Sequence, residues 1–268
     1  MRRGGNLKIR LIIGAAIILF SYVKYCSRTE TNEYTGKKQH ISLSTDEEIA
    51  IGLNSAPEMA KQYGGLHPDQ NSQTLVDNVG NKLVSSSVAR ETPYRYDFHL
   101  LRDPETVNAF ALPGGQVFIT MGLFKRLENE DQLAGVLGHE IGHVVGRHSA
   151  ERIAKQDLTQ GIITGVMAGS DVGAGQMASM VANAINMKYG RSDELESDRL
   201  GVKYMIDAGY NPHAFIEVIH ILDAASGGQR APEFSSTHPS GPHRVEEIEE
   251  AIKANGYNEQ HGSVPGFN

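Results

Sequence analysis

His139-Glu140-Ile141-Gly142-His143 is the stretch of this chain whose residue types and spacing could do chemistry. Two histidines four apart lie on one face of a helix, about one turn from each other, so both rings can reach one metal ion. Imidazole nitrogen is a common zinc ligand, and a catalytic zinc site uses three protein ligands plus a water. The carboxylate directly after the first histidine stands where it can take a proton from that water. The plain alternative is a surface helix with two solvated histidines and a salt-bridging glutamate. The flanks oppose it: Leu133, Ala134, Val136 and Leu137 precede the motif, and Val144 and Val145 follow it. Gly138 and Gly142 also fall inside the helical pattern, where each costs about 1 kcal/mol relative to alanine. Close packing explains such glycines; a solvated face does not.

A third ligand must come from elsewhere. The acidic run Arg191-Ser192-Asp193-Glu194-Leu195-Glu196-Ser197-Asp198 reads as the start of a second helix, with Ser192 as its N-cap. Glu194 and Asp198 are four apart and share a helix face. One can bind the metal while the other accepts an N–H from a liganding histidine and fixes its tautomer. An ordinary acidic helix start favouring its own dipole is the bland reading, and spacing alone leaves both Glu194 and Glu196 open as the ligand. His148 lies five residues past His143, about 140° round a continuous helix, and reads as structural.

Taken together, these blocks resemble one family. His-Glu-x-x-His is followed about fifty residues later by Glu194-x-x-x-Asp198. Ser236-Thr237-His238-Pro239 comes next, with Arg244 beyond it, and Val107-Asn108-Ala109-Phe110-Ala111-Leu112-Pro113-Gly114-Gly115 precedes the motif. This looks like the gluzincin family of the CaaX prenyl endopeptidase, the bacterial heat-shock membrane protease HtpX and the mitochondrial overlapping-activity protease. The likeness runs from about residue 45 to 250, and the plan is nearest to single-domain periplasmic members. The resemblance implies that Glu194 is the third zinc ligand, that Asp198 holds a liganding histidine from behind, and that Glu196 is a bystander. It places His238 near the metal, either stabilising the oxyanion or occupying the open metal position at rest. It implies an extended substrate added as a strand along Asn108, Ala109 and Phe110, against the plainer reading of a buried hairpin. Arg244 is expected to pair with a carboxylate near the metal. The implied activity is zinc-dependent endopeptidase cleavage of misfolded or damaged envelope proteins, with Glu140 as the base and unfolded or extended polypeptides as partners. The rival is an anchored, chaperone-like binder of unfolded chains with a closed zinc site.

The elements that must position these residues follow from patterning. The expected plan is α+β, a mainly helical metallopeptidase domain (zincin-like by the resemblance) with a small sheet beside the motif helix. Helices are expected from Ser44 or Thr45 to about Gly64-Gly65, over 69–87, over 128–155 for the motif, and near 213–225 and 244–254. Strands fit 96–101, 107–111 and 116–120 around Pro113-Gly114-Gly115. Residues 158–188 are rich in Gly, Ala and Met, and read as two short helices over the groove, as a lid and partly as core.

Arg2, Arg3, Lys8 and Arg10 precede an apolar run from Leu11 to Phe20. That pattern fits a signal peptide or a short signal-anchor, with the body translocated to the periplasmic side. Residues 29–44 are polar and read as a linker, 45–255 as the metallopeptidase domain and 256–268 as a disordered tail. Residues 1–28 hold six basic residues and no acid, so the body carries 19 basic against 32 acidic residues, a formal −13. Such a body argues against nucleic acid as a partner. Cys26 is the only cysteine, which excludes an internal disulfide and a cysteine-rich metal site.

Overall fold

The computed structural model describes residues 4–169, 190–226, 233–234, 238 and 243–257. In chain order the elements are α1 (Gly4–Cys26), β1 (Thr29–Thr31), β2 (Lys38–His40), α2 (Thr45–Gln62), α3 (Gln70–Ser86), a 3-10 turn (Val88–Glu91) and β3 (Asp97–Leu101). There follow β4 (Ala109–Ala111), β5 (Gln116–Thr120), α4 (Met121–Phe124), α5 (Glu130–Val145), α6 (His148–Gly169), α7 (Arg191–Asp207), α8 (Ala214–Ser226) and α9 (Arg244–Ala254). The chain is mainly helical with small sheets, the expected α+β plan. It divides into two compact units, residues 45–148 with 188–268, and residues 1–44 with 149–187.

The first of these units is built on α5. Asn129 caps it by accepting the Gln132 N–H, and Glu130 and Asp131 lie in its first turn, where they suit the helix dipole. Every residue from Asp131 to Val145 is buried, so this is a core helix. Its neighbour α7 comes very close because glycines face it. A Cβ on Gly142 would meet the Ser197 backbone at 3.0 Å, and one on Gly138 would meet Gly201 at 3.3 Å. The glycines inside the motif therefore admit the helix that carries Glu194 and Asp198. Beside α5 stands a three-stranded sheet in the order β3-β5-β4, parallel between β3 and β5 and antiparallel between β4 and β5. All five residues of β5 are buried, as a central strand requires. The β4–β5 turn needs Gly114 and Gly115, whose φ values are +81° and +107°. Among the described residues β4 is an edge strand. Thr120 donates its N–H to Asn108 O, and Leu112 donates to Gln116 O. Antiparallel alternation then turns the N–H and C=O groups of Ala109 and Ala111 away from β5.

In the second unit β1 and β2 form an antiparallel hairpin, Thr29 opposite His40. Residues 29–44, which composition marks as a linker, thus carry paired structure. The helix α1 includes a 20-residue stretch, Leu7–Cys26, long and apolar enough to cross a membrane, as a signal sequence also would be. The run read from sequence was shorter because Lys8, Arg10 and Lys24 interrupt its composition without interrupting the helix. Residues 158–169 continue α6 and pack on α1. A Cβ on Gly165 would meet Ile18 Cγ1 at 2.5 Å. That part of the expected lid is therefore a helix–helix seam within this unit; residues 170–188 lie outside the described residues. So does the expected disordered tail beyond Tyr257.

The motif helix departs from expectation. The motif helix does not run unbroken from 128 to 155. It stops at Val145, Arg147 adopts φ +54°, and α6 starts at His148.

Candidate metal centre

The histidines four apart on α5 meet as the spacing requires: His139 Nε2 and His143 Nε2 lie 3.0 Å apart. Glu194, in the first turn of α7, faces both, with Oε2 3.6 Å from His139 Nε2 and Oε1 3.5 Å from His143 Nε2. His238 arrives from the C-terminal part of the chain, its Nδ1 3.1 Å from Glu194 Oε1 and 3.3 Å from His139 Nε2. All four side chains are buried, and one donor atom from each lies within 4.8 Å of the others. The helix bearing Glu194 begins two residues earlier than expected. Gly190 is its N-cap and Asp193 Oδ2 accepts the Gly190 N–H at 3.2 Å, so Ser192 lies inside the helix.

These residues fit a metal ion. Imidazole and carboxylate ligands lie about 2.0–2.2 Å from a four-coordinate ion, so tetrahedral donors stand about 3.3–3.5 Å apart. The observed separations of 3.0–3.6 Å bracket that spacing. Two imidazole nitrogens facing at 3.0 Å repel unless a proton or a cation lies between them. Glu194 Oε2 is buried with no hydrogen-bond partner among the described residues, a costly state that a cation would relieve.

Behind the donors, His139 Nδ1 lies 2.8 Å from Asp198 Oδ1. Arg244, at the start of α9, donates to the same carboxylate through Nε at 2.8 Å and Nη2 at 2.5 Å. Its Nη1 stands 3.8 Å from Glu194 Oε2. Burial alone raises the Asp198 pKa, but the Arg244 charge and its hydrogen bonds with His139 outweigh it and hold the carboxyl below its ordinary range. An ionised Asp198 accepts a hydrogen bond from Nδ1–H of His139 and leaves Nε2 turned toward the donor cluster. Burial lowers the His139 pKa, yet the neighbouring carboxylates of Asp198 and Glu194 prevail and lift it to about 9.

Arg244 is 2% exposed, and its removal would leave the Asp198 charge buried without its forked counter-ion. We expect Arg244→Ala to cost about 3–5 kcal/mol of stability, read as a shift of the urea unfolding midpoint. A loss below about 1 kcal/mol would mean that the pair does not carry this load.

Glu140 sits on α5 beside the cluster, fully buried, with neither carboxylate oxygen hydrogen-bonded among the described residues. Its Oε1 lies 3.7 Å from His238 Nε2. Burial raises its pKa, offset only in part by His238 and His139. A carboxylate so placed is a poor structural element and a good proton acceptor.

The structure therefore brings together His139, Glu140, His143, Glu194, Asp198, His238 and Arg244. Asn108, Ala109 and Phe110 lie at the head of edge strand β4, which packs beside α5. Asn108 is buried, its Nδ2 3.3 Å from the Tyr63 hydroxyl. The Phe110 ring lies between Phe118 and Tyr63, at centroid distances of 4.9 and 5.4 Å. Two residues set aside in the sequence belong to the site's surroundings. His148 does not point away: its Nδ1 lies 2.9 Å from His143 Nδ1. Glu196, read as a bystander to the metal, lies with its Oε2 3.1 Å from His148 Nε2. The i+5 angle applies to a continuous helix, and the break at Gly146 and Arg147 removes that premise. Gly146, a common helix terminator, was the signal in the sequence.

Comparison with known proteins agrees with the geometry. Residues 70–252 match Peptidase family M48. The mitochondrial metalloendopeptidase OMA1 of Schizosaccharomyces pombe is 32% identical over 244 residues, covering 90% of this chain and 69% of that protein. The OMA1 of Saccharomyces cerevisiae is 32% identical over 252 residues, covering 88% and 73%. The beta-barrel assembly-enhancing protease of Escherichia coli K12 is 29% identical over 229 residues, covering 80% of this chain but only 46% of the relative.

Proposed function

This chain belongs to peptidase family M48 and is a metalloendopeptidase, and from that premise we propose that it is zinc-dependent and cuts unfolded or damaged proteins of the cell envelope. The convergence of His139, His143 and Glu194 on one point, with Glu140 alongside, is the observation that carries the reading. His139, His143 and Glu194 would hold the ion, and Asp198 with Arg244 would keep His139 in the ligating tautomer. When bound, zinc supplies Lewis acidity to the scissile carbonyl and to the attacking water. Glu140 takes the proton from that water and delivers it to the leaving amine. The outward N–H and C=O groups of Ala109 and Ala111 suit an added strand, which would orient a substrate by its main chain and demand little of its side chains. A folded protein cannot offer such a strand, so unfolded chains are the fitting class. Domain 45–255 would carry the catalysis. The helix α1 would anchor the chain with that domain on the extracytoplasmic side, given the basic residues ahead of its apolar stretch.

His238 lies where the fourth donor would stand, and we assign it to the resting state. Phe234 lies beside the strand edge proposed to bind substrate: it donates its N–H to Val107 O at 3.2 Å and stacks on His238 at 4.4 Å. Glu233 accepts from the Tyr63 hydroxyl at 2.5 Å. Displacing Phe234 and His238 would free both the metal face and the strand edge. On this reading His238→Ala keeps its zinc and cleaves unfolded casein and a short peptide roughly tenfold faster than wild type, the gain from removing a closed majority state. Neither protein should cut a stably folded globular substrate. A fall in kcat of about 10²-fold or more would instead make His238 an oxyanion donor, and loss of zinc would make it an obligatory ligand.

A further inference from the structure

We infer that Glu196 and His148 form a positioning chain that fixes His143, as Asp198 fixes His139. The inference rests on the proposed metal centre and extends it to residues that do not touch the ion. A histidine that ligates through Nε2 must carry its proton on Nδ1, and a partner at that proton sets the ring's orientation and raises its basicity. At His143 the atom facing Nδ1 is His148 Nδ1, 2.9 Å away. Two ring nitrogens at that distance need one proton between them. With His143 ligating, His143 donates and His148 accepts. The His148 proton then sits on Nε2, where Glu196 Oε2 accepts it at 3.1 Å. The Ser197 hydroxyl lies 3.2 Å from His148 Nδ1 and braces the same ring. His148 is fully buried, while Glu196 lies at the rim with 12% of its side chain exposed.

The backbone is shaped for this contact. Gly146 leaves room for the ring, since a Cβ there would meet His148 Nε2 at 2.5 Å and Cε1 at 2.7 Å. Arg147 takes the left-handed conformation at φ +54°, which costs a non-glycine residue about 1–2 kcal/mol. Such strain persists only where its surroundings enforce it. Here Arg147 is bound to Glu48, with Nε to Oε1 at 2.8 Å and a further contact from Nη2, and Tyr94 donates its hydroxyl to Glu48 Oε2 at 3.2 Å. On an unbroken helix His148 would face away from His143; the turn at Gly146 and Arg147 swings it back. Asp193 also lies close to His148 and Glu196, but its carboxylate already receives the Gly190 N–H at the helix start.

Zinc affinity, measured by chelator competition on the purified full chain, tests the chain directly. His148→Ala and Glu196→Ala should each weaken zinc about 10- to 100-fold, the usual effect of losing such a partner. Glu196→Gln keeps an oxygen that accepts from His148 Nε2, so it should stay within about threefold of wild type. The KM for an unstructured peptide at saturating zinc should not move, because Glu196 and His148 lie behind His143, away from the substrate edge. His143→Ala must lose zinc in the same titration; if it binds normally, the metal-centre reading fails and the positioning chain is not what failed. Glu196→Ala with wild-type affinity overturns the inference, and this rim variant decides the matter if His148→Ala does not fold. Two zinc ions per chain, one of them lost in Glu196→Ala, would also overturn it in favour of a second cation site.

Discussion

Glu140→Gln should retain its metal and lose its peptidase activity. The amide nearly matches the carboxylate in size, and the three donors, His139, His143 and Glu194, are untouched. What disappears is the proton acceptor. Glu140 is buried, its oxygens have no hydrogen-bond partner among the described residues, and burial raises its pKa. Each of these properties is a cost in a structural carboxylate and an asset in a base. General-base catalysis is worth about 10²–10⁴ in rate, so kcat should fall by that factor with zinc content unchanged. Residual activity above about a tenth of wild type would remove Glu140 from that role. The substitution also removes a buried titratable group whose pKa is raised, so the folded protein should be no less stable near neutral pH.

Glu194→Ala should purify without metal under conditions where Glu196→Ala keeps it. Glu194 stands within 3.6 Å of both His139 Nε2 and His143 Nε2. Glu196 lies 3.1 Å from His148 Nε2 and is not one of the four clustered donors. Removing one of three protein ligands abolishes tight binding, whereas removing a distant partner weakens it by about 10- to 100-fold. At micromolar protein and zinc the first variant should be empty and the second filled, as measured by elemental analysis after gel filtration. The reverse pattern would make Glu196 the ligand.

The parts of this site that were legible in the sequence are those governed by local periodicity. His139 and His143 share a helix face by spacing alone, and so do Glu194 and Asp198. Gly138 and Gly142 announced a close neighbour, and the neighbour is the helix that carries Glu194. The strand turn at Pro113-Gly114-Gly115 was legible because two residues there must take positive φ. What stayed hidden depends on tertiary structure. The direction of His148 stayed hidden because a single left-handed residue, Arg147, held by Glu48 from a distant helix, turns it back toward His143. The hairpin in residues 29–44 carries polar side chains and no alternating pattern, so backbone pairing there left no trace in composition. The glycines of α6 were equally compatible with a lid or a seam until Gly14, Ile18 and Ser21 were seen against them.

The most direct test of a zinc-dependent endopeptidase is to measure metal content and cleavage on one preparation of the full chain. One zinc per chain is expected, together with digestion of unfolded casein that stops when a chelator strips the ion and returns when zinc is restored. A preparation holding one zinc that leaves casein intact, or one that digests casein equally well after the metal has been removed, would contradict the account.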